Sequence, residues 1–113
     1  MCSPIELQKI ISQLRESITE IFPHERMDII LYGSYARNSA DDESDIDVMI
    51  LVDSSRKTIA ERNWQIGEAA AECLLTSGIL VSPVVENREF YHENIDILPF
   101  FRNIHDEGVF MNV

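Results

Sequence analysis

The sequence is poor in the residues that build disulfide frameworks, flexible linkers and basic surfaces. Two cysteines, Cys2 and Cys73, stand among 113 residues. Their spacing makes neither a zinc site nor a disulfide framework, so a reduced, cytoplasmic setting is expected. Glycine and proline number four each, which excludes collagenous and low-complexity chains. Lys and Arg total 9 against 20 Asp and Glu, a formal net charge of −11. The basic residues are scattered from Lys9 to Arg102 without a run. This balance argues against a nucleic-acid partner, because the phosphate backbone dominates that affinity and an acidic surface repels it. It argues equally against docking on anionic lipid. No apolar run approaches the length of a membrane span. The first thirty residues alternate apolar with charged positions and offer no signal-peptide core.

What is present is globular. Hydrophobic residues make up 45%, and a chain of this size buries roughly 65% of its unfolded surface on folding. One domain over residues 1–113 is expected, with no room for a second substrate-binding domain. Ser3-Pro4-Ile5-Glu6 reads as a capped helix start. Leu7, Ile10, Ile11, Leu14, Ile18 and Ile21 continue it at helical spacing to Phe22-Pro23. Cys2 falls before this helix, in an end expected to fray. Asp28 to Tyr32 reads as a short strand. Gly33-Ser34 then opens a predicted short helix through Arg37, followed by a polar loop over 38–44.

Asp45 to Val52 is a strand that turns apolar on both faces, as a buried central strand does. By the period of two, Ile46, Val48, Ile50 and Val52 point one way, and Asp45, Asp47, Met49 and Leu51 the other. A second helix is predicted from Arg56 to Ser77, with Ile59, Trp64, Ile66, Ala70, Cys73 and Leu74 as its stripe and Gly78 as its stop. Ile79 to Val85 is a third strand, placed at an edge or bulged because Pro83 cannot donate to a ladder. Helical pieces over 89–98 and 100–106 break at Pro99, and 108–111 form a turn with a short strand. The fold class is α/β, a small mixed sheet with helices mainly on one face.

Asp45 and Asp47 are the first candidates for chemistry. Alternate residues of a strand share a face, so the two carboxylates converge. Convergence beside an apolar strand costs hydration and sets like charges together. A divalent cation resolves both, and Mg²⁺ accepts one or two carboxylates with water and phosphate oxygens in its other positions. Taken alone, Asp-x-Asp also fits a solvated strand end. Gly33 allows backbone to approach a ligand closely. Free N–H groups behind it suit an anion, and Ser34 adds a hydroxyl, although Ser34 also fits an ordinary N-cap.

Together, Gly33-Ser34, ten intervening residues, then Asp45-Ile46-Asp47 resemble the nucleotidyltransferase signature of the DNA polymerase beta superfamily. The string Gly33-Ser-Tyr-Ala-Arg37 resembles its minimal nucleotidyltransferases more closely, and the likeness runs through to Glu107-Gly108-Val109. The resemblance implies a concrete site. Gly33 and Ser34 would hold the triphosphate of ATP, and Asp45 and Asp47 would bind Mg²⁺ and serve as the catalytic pair. Arg37 would contact phosphate or brace the loop, the alternative being a surface pair with Asp41 or Asp42. It further implies transfer of AMP to a hydroxyl on a HEPN-type helical partner protein, as the antitoxin of a two-protein system.

One residue departs from the family pattern. The usual third carboxylate falls at Ser82, and Glu86 on the same face lies about 13 Å further along the strand. A catalytically weak module that binds nucleotide or partner is therefore the alternative, with a small-molecule nucleotidyltransferase of the aminoglycoside-modifying type a third reading. A missing acceptor domain points to association with another chain, homo-oligomers included. Tyr32 and Tyr35 flank Gly33-Ser34: one is a candidate for a base pocket, and Tyr32 is read as core. His24, His92 and His105 are isolated.

Overall fold

The computed structural model describes all 113 residues. Helix α1 (Pro4–Ile21) begins as its sequence dictates. The Glu6 N–H donates to the Ser3 hydroxyl at 3.2 Å, and the Ser3 N–H donates to Glu6 Oε1 at 3.3 Å. Ile10, Ile11, Leu14 and Ile18 form its buried stripe. Phe22 closes the helix directly before Pro23.

Four strands follow: β1 (Asp28–Tyr32), β2 (Ile46–Val52), β3 (Val81–Asn87) and β4 (Val109–Phe110). They form one sheet in the order β3-β2-β1-β4. β1 runs antiparallel to both β2 and β4, and β2 runs parallel to β3, so the sheet is mixed. β2 is central, which explains its unbroken apolar run. Ile46, Val48, Ile50 and Val52 face α1, α2 (Arg56–Glu61) and α3 (Asn63–Ser77) within a cluster of 19 buried residues. Met49 and Leu51 face the opposite way, into a cluster of six with Ile30 and residues of α4 (Arg88–Glu93) and α5 (Pro99–Glu107). The division of faces predicted by the period of two is the one observed, and the larger helices cover one face.

Three expectations need correction. The predicted helix over 56–77 is two helices that meet at Arg62, where φ −104° and ψ 10° end one and start the next. Arg62 is held there by tertiary contacts. Its guanidinium donates to the Ile21 carbonyl at 2.7 Å and lies over the Phe22 ring. The break shifts the buried stripe to Ile66, Ala69 and Cys73, and Trp64 is left 64% exposed. Cys2 does not fray; it is buried against the larger cluster, and its N–H donates to the Tyr35 hydroxyl at 3.3 Å. The third strand starts two residues later than predicted, after Gly78 ends α3 in the left-handed region at φ 76°. β3 is an edge strand, as Pro83 requires.

Candidate active site

The connection from β1 to β2 carries most of the candidate residues. It begins at Gly33, whose φ of +75° lies where side chains are rarely tolerated. Space excludes a side chain as well. A Cβ at Gly33 would meet Asp47 Oδ2 at 2.5 Å. The glycine thus lets the turn close onto the strand that carries Asp47.

Residues 33–38 form a run of turns rather than the predicted helix. The Arg37 N–H donates to the Gly33 carbonyl at 3.1 Å, but the Ser39 N–H reaches back five residues to the Ser34 carbonyl at 2.9 Å. Asn38, at φ 57°, turns the chain out of right-handed geometry. An anion here would meet turn N–H groups and the Ser34 hydroxyl, without a helix dipole behind them.

The strand register assembles the rest. Tyr32 of β1 lies opposite Asp47 of β2, and Asp47 opposite Ser82 of β3. Tyr32, Asp47 and Ser82 therefore form one row across the sheet. Asp45 sits immediately before β2, two residues from Asp47. No ion pair engages Asp45 or Asp47. Burial pushes the Asp47 carboxyl up from its ordinary value, the Asp45 charge pushes it further, and Arg37 partly opposes them. Tyr32 is half-buried rather than core, with its ring edge-on to Phe100 at 5.8 Å between centroids. Burial, then the Asp47 charge, push its hydroxyl up to about 12, so it stays protonated.

Arg37 pairs with neither Asp41 nor Asp42. Its Nη1 lies 3.2 Å from both carboxylate oxygens of Glu107, at the end of α5. Glu107 Oε1 also accepts from the Gly33 N–H at 3.3 Å. Nothing local in the sequence marks Glu107 for this place, since 70 residues separate it from Arg37. Ser82 occupies the position beside Asp47. Glu86 is directed elsewhere: it is buried opposite Leu51 and accepts from Arg56 Nε at 2.9 Å. Tyr35 and Asp45 line a cavity of about 410 Å³ between the start of α1 and the turn after α3. The histidines are exposed, and nowhere do three His, Cys, Asp or Glu converge to hold a metal.

Two unpaired carboxylates beside a glycine turn suit a hard cation that takes its remaining ligands from water and phosphate. Asp45 and Asp47 fit Mg²⁺ on those terms; a metal cage built by protein alone is absent.

Residues 11–106 match the family described as nucleotidyltransferase domain. Three proteins of Methanocaldococcus jannaschii, each named "putative protein adenylyltransferase", are similar to this chain. One is 35% identical over 81% of this chain and 91% of its own length. A second is 34% identical over 71% and 72%, and a third 28% identical over 92% and 75%. No solved structure matches. The chain belongs to the nucleotidyltransferase domain family, and it is a nucleotidyltransferase enzyme.

Proposed function

We propose that the protein transfers AMP from ATP to a hydroxyl of a partner protein, in the cytoplasm, and that the partner is a HEPN-type helical toxin which it neutralises. The observation that carries the reading is the pair Asp45 and Asp47, held without an ion-pair partner beside Gly33 and Ser34. The names of the similar archaeal proteins support a protein acceptor. The acidity of the chain supports a substrate other than nucleic acid.

Gly33, Ser34 and Arg37 bind the triphosphate in this reading, and Asp45 and Asp47 hold Mg²⁺. When bound, Mg²⁺ supplies charge neutralisation for the phosphates. The acceptor oxygen forms a bond to the α-phosphorus. The bond from that phosphorus to the bridging oxygen breaks, and pyrophosphate leaves with the electron pair. The hydroxyl proton passes to solvent. The residues contribute by positioning and electrostatic stabilisation, which dominate phosphoryl-type transfer. Neutral Tyr32 lies beside Asp47, its ring edge-on to Phe100.

Ser82 supports a second reading. A serine stands where a third carboxylate would lie beside Asp47, so the site binds nucleotide and partner but turns over slowly or not at all. One experiment separates the two. The protein is incubated with its candidate toxin, ATP and Mg²⁺, and the toxin is weighed by mass spectrometry. Transfer adds the mass of AMP, and Asp47→Ala lowers the rate at least about 10²-fold. Nucleotide binding by calorimetry without pyrophosphate release supports the second reading. Equal modification by wild type and Asp47→Ala sinks the first.

A further inference from the structure

The contact between Glu107 and the glycine turn joins groups that an anion would otherwise take. A backbone N–H at Gly33 and the Arg37 guanidinium both address one carboxylate, delivered from the far end of the chain. Both donors are of the kind that bind phosphate oxygens.

The contact is loose. Its distances of 3.2 to 3.3 Å exceed those usual for charge-assisted hydrogen bonds. The Arg37 side chain is 54% exposed and that of Glu107 30%, a setting in which ion pairs contribute little. By contrast, Glu86 and Arg56 meet at 2.9 Å with the carboxylate 11% exposed. Glu107 is also the last residue of α5, where a negative charge opposes the helix dipole. Its own helix thus favours its departure once Arg37 is engaged elsewhere.

We propose that Glu107 is a resident anion that takes the place of the nucleotide phosphates on Arg37 and Gly33, and that an incoming triphosphate displaces it. The proposal rests on the nucleotide-binding reading above and adds a competitor built into the chain. Glu107 then sets nucleotide affinity: it weakens binding by holding the donors and by repelling the phosphates that approach them. It also keeps Arg37 and the turn in place while no nucleotide is bound.

Calorimetry with inorganic triphosphate and Mg²⁺, and separately with ATP and Mg²⁺, tests this. Glu107→Gln binds both roughly 2–5-fold tighter than wild type, with little change in the melting temperature of the free protein. Asp106→Asn removes one charge from the same helix turn and leaves affinity unchanged, which separates displacement from overall acidity. Arg37→Ala weakens binding, and Glu107→Gln gains less in that background than in wild type, because only the Gly33 N–H and the repulsion remain to be relieved. Equal or weaker binding by Glu107→Gln, alongside normal wild-type binding, overturns displacement and makes Glu107 a fixed brace. The same gain from Asp106→Asn also overturns it. Absence of triphosphate binding in the wild type and every variant sinks the nucleotide reading itself, and the displacement with it.

Discussion

The two ends of the central strand treat their carboxylates in opposite ways. At the C-terminal end of β2, Asp28, Asp53, Glu86 and Glu25 are given partners. Arg88 Nη1 lies 3.0 Å from Asp28 Oδ2, and its Nε 3.6 Å from Asp53 Oδ1. Its Nη2 also donates to the Arg26 carbonyl at 2.8 Å. Glu86 is paired with Arg56. Glu25 accepts from the N–H groups of Asp53 and Ser54 at 2.8 and 2.7 Å, and from the Ser54 hydroxyl. Burial would raise its carboxyl, but those bonds outweigh burial and hold it below the usual range. At the N-terminal end, Asp45 and Asp47 share a face with no ion-pair partner, and the Asp47 carboxyl is pushed up. One end uses acids to hold the fold together. The other leaves two acids without an ion-pair partner, and the charge of Asp47 opposes burial there.

The sharpest way to break this contrast is to fill Gly33. Gly33→Ala places a Cβ against Asp47 Oδ2 and imposes a left-handed conformation on a residue with a side chain. The expected cost is about 1–2 kcal/mol of stability from the backbone alone. Nucleotidyl transfer falls roughly 10²-fold as the carboxylate is displaced. Pyrophosphate release and thermal denaturation measure the two effects. Retained activity would mean that Asp47 tolerates displacement and does not hold the metal.

Arg88→Met tests the opposite end. It leaves Asp28 and Asp53 without their shared cation and strips donors from the Leu51 and Arg26 carbonyls. A loss of about 2–3 kcal/mol in urea denaturation is expected, since the Arg88 side chain is mostly buried. The rate of pyrophosphate release per folded molecule should hold steady. A fall in that rate with stability intact would erase the distinction between the two ends.

On stability, Asp47→Asn has the smallest expected effect, and its sign is the telling part. A carboxyl raised in the folded state binds its proton more tightly there than in the unfolded chain. Its charge therefore destabilises the fold above the folded pKa, and the penalty vanishes as pH falls through that value. The variant should melt a few degrees above wild type at neutral pH. The gap should close as pH falls through the raised Asp47 pKa, where the wild-type carboxyl takes up its proton. A lower melting temperature at neutral pH would place Asp47 among the stabilising acids.

Local chemistry was legible where it depends on neighbours in sequence. The Ser3–Glu6 capping box, the β2 faces and the Gly78 stop all follow from spacing and residue type. The break at Arg62 was not legible, because Ile21 and Phe22 hold it from another helix. Residues 33–38 form turns and not the expected helix because Gly33 and Asn38 take positive φ and the turn packs against Asp47 of β2, a contact the local sequence does not show. Glu107 was invisible as a neighbour of Arg37, since its approach depends on where α5 docks.

The sequence by itself determined the residue types of the site, their order and the faces of the strand that carries Asp47. Hydrogen-bond geometry within a strand has a period that any reader of the chain can count. Only the tertiary structure decided which residues meet across elements. It set Ser82 beside Asp47, turned Glu86 toward Arg56, and brought Glu107 to Arg37 and Gly33. Those meetings depend on strand register and helix docking, which are settled by burial of the whole apolar surface and not by any local run of residues.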